Sequence, residues 1–143
     1  MLMKSSYETV SVIGLGYIGL PTAAAFAQRK VKVIGVDVNE HTVATINRGE
    51  IHIIEPDLDD AVYKAVNEGY LRATTVAEPA DAFMIAVPTP FKGDNHDPDL
   101  SYIEAASRAV APVLKPGDLV VLESTSPVGA TEQMAQWMAE LRP

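Results

Sequence analysis

The chain has 143 residues, 48% of them apolar and 21% charged, with a formal net charge of −8 and no cysteine. A chain of this length buries roughly 70% of its unfolded surface, so one globular domain with a substantial core is expected. The acidic balance excludes a basic surface for nucleic acid or an anionic membrane, and the lack of cysteine excludes disulfides, thiolate zinc sites and a cysteine nucleophile within these residues.

Taken in chain order, Thr9–Ile13 predicts a first strand, and an alanine-rich helix follows that starts near Tyr17 and reaches Arg29. Lys32–Asp37 is the second strand; Asn39 caps a second helix that runs to about Arg48 and stops at Gly49. Residues 51–56 are irregular, Leu58–Asn67 is helical up to Gly69, and Leu71–Thr74 is a short strand. Pro79 interrupts a weak helical turn. Ala82–Val87 is a buried strand stopped by Pro88-Thr89-Pro90, and residues 91–99 read as a polar loop. Asp99 caps a helix through about Leu114, Lys115–Asp118 is a turn, Leu119–Glu123 is the last strand, and a final helix spans about Ala130 to Leu141.

Nearly continuous apolar strands separated by helices predict a parallel sheet covered on both faces. Right-handed crossovers make it a doubly wound α/β sheet, a Rossmann fold, whose ligand crevice lies beyond the carboxyl ends of the strands. Four features fall at that edge: residues 14–19, Asp37, residues 88–90 and residues 123–126.

The run Gly14-Leu15-Gly16-Tyr17-Ile18-Gly19 has the Gly-x-Gly-x-x-Gly spacing of a dinucleotide turn, with a strand before it and a helix after it. Gly14 permits the tight turn, Gly16 the approach of backbone to a pyrophosphate, and Gly19 close helix–strand packing. The helix amino terminus offers unpaired N–H groups and a positive partial charge. Asp37, 18 residues after Gly19, is placed to accept the adenosine ribose hydroxyls, and it would meet a 2′-phosphate as a like charge. No Arg or Lys stands in Val38-Asn39-Glu40-His41-Thr42 to offset it, so NAD is predicted over NADP. A hydrogen bond to a charged group contributes about 1.5–3 kcal/mol, so Asp37→Ala should weaken NAD binding roughly 10- to 150-fold. Thr89 either completes a plain turn or presents its hydroxyl or N–H to the cofactor. Ser124, Thr125 and Ser126 either cap the next helix, contact the nicotinamide ribose or hold a water. Thr131, near the start of that helix, is a further candidate.

Other features take plainer readings. The acidic stretch Asp94–Asp99 lacks the central Gly and terminal Glu of a calcium loop, and His41, His52 and His96 show no ligand spacing, so no metal is expected. Met134, Trp137, Met138 and Leu141 form an apolar helical stripe, either core or an interface to a partner domain. No apolar run approaches the ~18 residues of a membrane span, and residues 1–6 lack the apolar core of a signal peptide. The expected compartment is the cytoplasm.

The runs VIGLGYIGLPTA (12–23), GVDVN (35–39), IEP (54–56), AVPTP (86–90) and ESTSPVG (123–129) resemble the UDP-glucose/GDP-mannose dehydrogenase superfamily over almost the whole chain. Within it, INRGEIHIIEPDL (46–58), IAVPTPFKGD (85–94) and LESTSPVGATE (122–132) are similar to the UDP-N-acetyl-D-mannosamine dehydrogenases rather than to the UDP-glucose enzymes. The resemblance implies that residues 1–143 are the NAD-binding domain at the start of a longer enzyme, followed by a helical dimer region and a UDP-sugar-binding domain. It implies a homodimeric parent that oxidises a sugar C6 alcohol to a carboxylate with two NAD⁺, for surface polysaccharide (enterobacterial common antigen) synthesis. A cysteine, a lysine, an asparagine and an aspartate beyond this chain would carry the sugar chemistry. The fragment alone would then bind NAD without turning over UDP-sugars. Carried over to matching positions, the cofactor residues are Gly14, Gly16, Tyr17, Ile18, Gly19, Asp37 and Thr89, with Ser124 and Thr125 near the nicotinamide and Thr125 helping to position a catalytic water. Where many relatives have Arg a few residues after the ribose-binding acid, Thr42 stands here. Two alternatives stay open: a sibling enzyme acting on UDP-glucose, UDP-N-acetylglucosamine or GDP-mannose, and a non-enzymatic NAD-sensing module.

Overall fold

The computed structural model describes residues 9–53, 55–87, 91–92, 97–98, 101–115, 117–122, 136, 138 and 139. Five strands, β1 (Thr9–Ile13), β2 (Lys32–Val36), β3 (Leu71–Thr74), β4 (Ala82–Ile85) and β7 (Leu119–Leu122), pair in the order β3-β2-β1-β4-β7. Every pairing is parallel. The predicted Rossmann sheet is therefore present, and the order reverses at β1. Chain leaving β1 passes to β2 on one side, and β4 lies on the other, so the carboxyl end of β1 opens at the switch point where such sheets bind ligands.

The helices α1 (Gly19–Gln28), α2 (Glu40–Asn47) and α3 (Leu58–Asn67) form one core with the sheet. Leu20, Ala23, Ala24 and Ala27 of α1, Ile46 of α2 and Val62 and Ala65 of α3 pack with Val10, Val12, Val33 and Leu71. On the opposite face α4 (Ser101–Val110) contributes Ile103, Ala106 and Val110 to a second core with Ile13, Ile34, Phe83 and Ile85. Small residues let α1 lie close to the sheet, while side chains above and below each central strand explain why their sequences are apolar without alternation. Ser11 is the exception on β1: its hydroxyl is fully buried and has no hydrogen-bond partner among the described residues.

Four predicted elements differ in extent or kind. The segment read as a loop over 91–99 contains a short antiparallel pair, β5 (Phe91–Lys92) with β6 (Asp97–Pro98). The helix predicted through Leu114 ends as α-helix at Val110 and continues as one 3₁₀ turn, Ala111–Val113, because Pro112 has no N–H for the ladder. Strands β2 and β4 stop at Val36 and Ile85, which leaves Asp37 and Ala86 on the edge above the sheet. Of the predicted final helix, residues 136, 138 and 139 are described and helical, and Met138 is buried in the second core.

Two side chains do backbone work around β3. The Asn47 amide donates to the Ala73 carbonyl (3.0 Å), and its oxygen accepts the Ala73 N–H (2.8 Å). Asn47 thus completes the outer rim of β3 and ties the end of α2 to it. Asp57, ahead of α3, takes a left-handed backbone (φ +64°) and makes no side-chain cap. At the amino-terminal end of the sheet Asp81 accepts the Thr9 N–H, and its carbonyl accepts the Leu119 N–H, aligning β1, β4 and β7.

Candidate dinucleotide site

The turn after β1 is shaped by contacts that bar a side chain at Gly14 and Gly19 and leave space at Gly16. Gly14 has φ +97°, and a Cβ there would stand 2.7 Å from the Ala86 carbonyl oxygen. Its N–H donates to the Val36 carbonyl at 2.8 Å, so the chain leaves β1 seated between the ends of β2 and β4. Gly19 is closed completely: its Cβ would lie 1.7 Å from the Gly14 carbonyl oxygen. Gly16 is the opposite case, with nothing within 4 Å of an added Cβ. Two glycines serve the fold, then, and the third keeps a space open above the turn.

Helix α1 begins under that space. No side chain caps its amino terminus, and the Leu20 N–H donates to the Gly16 carbonyl at 3.1 Å. The N–H groups that precede the first helical bond have no partner within a helix, and the helix dipole adds positive potential there. Tyr17 and Ile18, at this end, are 64% and 46% exposed.

Asp37 stands just past β2. Its N–H donates to the Thr74 carbonyl (3.1 Å), which fixes the backbone at the end of the strand. One carboxylate oxygen, Oδ1, accepts the Asn39 N–H at 2.9 Å; the other, Oδ2, accepts the Leu15 N–H at 3.0 Å. The neighbouring Val38 is 91% exposed, an apolar surface beside a fixed carboxylate. Asn39 caps α2 as predicted, accepting the His41 and Thr42 N–H groups at 2.9 and 3.2 Å. Thr42 is buried.

Sequence reasoning missed two members of this site. Leu15, the variable residue of Gly-x-Gly, is fully buried, and a Cβ on Gly35 would come within 2.9 Å of both its methyl carbons. Leu15 is thus seated on the glycine of β2. The signal was available: a lone Gly inside a β-branched strand marks a close approach. Thr89, Ser124, Thr125 and Thr131 lie outside the described residues, as do residues 123–129 of the motif at the end of β7. Among the described residues no group of acids and histidines could hold a metal, and no helix is long and apolar enough to cross a membrane.

The described residues bring together an open space over Gly16, a helix end that no side chain caps, and a carboxylate held by the Leu15 and Asn39 N–H groups, the elements of a dinucleotide turn. Comparison with known proteins agrees. The sequence model of the UDP-glucose/GDP-mannose dehydrogenase family, NAD binding domain, matches residues 8–142. The UDP-N-acetyl-D-mannosamine dehydrogenase of Yersinia pestis is 73% identical over 138 residues, which are 96% of this chain and 33% of that protein. The NDP-N-acetyl-D-galactosaminuronic acid dehydrogenase of Ralstonia nicotianae is 70% identical over 137 residues, 96% of this chain and 32% of that protein. Among solved structures, a UDP-D-ManNAc dehydrogenase from Pyrococcus horikoshii superposes with a TM-score of 0.88 at 44% identity, covering 93% of this chain and 32% of that one. The chain spans about a third of the length of the curated relatives it matches.

Proposed function

The chain belongs to the UDP-glucose/GDP-mannose dehydrogenase family as its NAD-binding domain, and from that premise we propose that it is the cofactor half of a UDP-N-acetyl-D-mannosamine 6-dehydrogenase. The observation that carries the substrate is the 73% identity to the Yersinia pestis enzyme. In the proposed reaction the sugar C6 alcohol loses two hydrides, one to each of two NAD⁺, and takes up the oxygen of one water; the products are a carboxylate, two NADH and three protons. NAD⁺ supplies the hydride acceptor. The residues of this chain bind and orient it: Gly14, Gly16 and Gly19 shape the diphosphate turn, the α1 end with Tyr17 and Ile18 faces the phosphates, and Asp37 accepts the adenosine ribose hydroxyls. Thr89 and Ser124 are proposed cofactor contacts, Thr131 a further one, and Thr125 a positioner of the catalytic water. The sugar-binding residues and the homodimer contacts are assigned to the remaining two thirds of the enzyme, and its place to the cytoplasm, in the synthesis of a surface polysaccharide.

A second reading has a specific observation in its favour. The Ralstonia relative, named for a different N-acetylated sugar, is nearly as similar as the Yersinia one. This domain carries the cofactor side, so two sugars are compatible with one such sequence.

A chimera tests that this chain is the cofactor half of such an enzyme, and a panel of UDP-sugars given to the full-length enzyme separates the two sugars. This chain replaces the matching third of the Yersinia pestis enzyme, and NADH formation from UDP-N-acetylmannosamine is followed at 340 nm. Turnover within about tenfold of the parent, with this chain alone binding NAD but giving no NADH, is the expected result. A folded chimera without turnover, or a chain that prefers NADP in calorimetric titration, refutes the assignment. The non-enzymatic alternative predicts NAD binding by the chain and an inactive chimera.

A further inference from the structure

The acid after β2 is placed to meet ribose, yet both of its oxygens already hold backbone. Oδ2 accepts the Leu15 N–H at 3.0 Å across 22 residues of sequence, and Oδ1 accepts the Asn39 N–H at 2.9 Å. A carboxylate offers about four lone-pair sites, so two remain for hydroxyls. The bond to Leu15 has a consequence that the ribose contact lacks. Leu15 lies between Gly14 and Gly16, and its side chain is pinned on Gly35 while its N–H is pinned on Asp37. The segment that would face the diphosphate is held from below by packing and from the side by a charge-assisted hydrogen bond.

Resting on the dinucleotide reading above, we infer that Asp37 has a second role: it is a positioning residue for the diphosphate turn, holding the Gly14–Gly16 backbone in its binding conformation before the cofactor arrives. The same side chain thereby links the two ends of the adenosine diphosphate. Its removal harms phosphate binding as well as ribose binding.

The test uses ligands that lack the ribose contact. The full chain and Asp37→Ala are titrated calorimetrically with ADP and with 2′,3′-dideoxy-ADP, which keeps the diphosphate and adenine and lacks both hydroxyls. A residue acting on hydroxyls alone gives the same dideoxy-ADP affinity in both proteins. A residue that also holds the turn gives a variant that binds dideoxy-ADP about 5-fold more weakly, the effect of one hydrogen bond of ordinary strength. Equal or tighter dideoxy-ADP binding by the variant overturns the inference; loss of the Asp37 charge by itself favours an anionic ligand, so weaker binding can come only from the turn. Amide exchange of the ligand-free protein supplies an independent reading. Leu15 N–H exchange should accelerate at least about tenfold in Asp37→Ala while Gly14 N–H, held by Val36, keeps its rate; an unchanged Leu15 rate also overturns the inference. Should the alanine variant fail to fold, Asp37→Leu, which keeps a similar outline and offers no acceptor to the Leu15 N–H, is measured in its place with the same criteria. A wild-type chain that binds neither NAD nor ADP sinks the dinucleotide reading itself, and the exchange arm then still decides the role of Asp37.

Discussion

Gly16 and Gly19 stand three residues apart in one motif, yet alanine at the two positions should separate folding from binding. A Cβ on Gly19 falls 1.7 Å from the Gly14 carbonyl oxygen and 2.8 Å from its carbon. Both atoms are backbone, so no rotamer change relieves the collision. Real Cβ atoms essentially never approach within 3.0 Å, so the turn and α1 must part by at least 1.3 Å, the difference between the two distances. A gap of about 0.5–1 Å already forfeits a quarter to a half of a van der Waals contact. Helix α1 carries four buried apolar side chains, Leu20, Ala23, Ala24 and Ala27, into the first core. Gly19→Ala is therefore expected to destabilise by about 3 kcal/mol, at the upper end for an overpacked site. At roughly 2–4 °C per kcal/mol this lowers Tm by about 6–12 °C. Gly16 has open space around its Cβ position and no left-handed φ, so Gly16→Ala should stay within about 0.5 kcal/mol of wild type. Its methyl group enters the space over the turn, and NAD affinity should fall at least about tenfold, or 1.4 kcal/mol. Scanning calorimetry reads the first effect and titration calorimetry the second. A Gly19→Ala protein melting within about 2 °C of wild type, or a Gly16→Ala protein with undiminished NAD affinity, would refute this division of labour.

Three further outcomes follow from the fold. Asn47→Ala leaves the Ala73 N–H and C=O without their partner and should cost about 1–3 kcal/mol in urea unfolding; Asn47→Asp, which turns the donor into a second acceptor beside the Ala73 carbonyl, should be no better. Ser11→Ala removes a buried hydroxyl that has no partner among the described residues, and stability should hold or rise by up to about 1 kcal/mol; a loss of 1 kcal/mol or more would reveal a partner for it. Asp57→Gly places the residue best suited to φ +64° there and should stabilise by about 1 kcal/mol, read as a shift of the urea midpoint at constant slope.

Most of the fold was legible because its signals are local and repeated. β-Branched runs such as Thr9–Ile13 and Leu119–Leu122, the Asn39 cap and the glycine stops at Gly49 and Gly69 each mark an element boundary within a residue or two. The parallel order followed from strands that are apolar without alternation. The hairpin of Phe91–Lys92 with Asp97–Pro98 escaped because two-residue strands amid Gly, Asp, Asn and Pro carry no periodicity. The site was legible in its residue types and not in its wiring. Gly14, Gly16, Gly19 and Asp37 were named from spacing, but spacing says nothing of which backbone atom a carboxylate meets. The bond from Leu15 to Asp37 and the seat of Leu15 on Gly35 depend on how β1 and β2 lie side by side, with Val12 opposite Gly35 and Ile13 opposite Val36. Asn47 likewise reads as an ordinary helix-end residue until β3 is placed beside it.

A terminal strand is a template: its outward N–H and C=O groups invite another molecule's strand to dock and the sheet to grow between molecules. At Ala73 that invitation is already taken, because the Asn47 amide mimics the peptide group an incoming strand would offer. An intruding chain would first have to evict a tethered competitor. The side chain that finishes the rim of β3 is thus also a guard against edge-to-edge aggregation, and losing it should show as concentration-dependent association before it shows as loss of NAD binding.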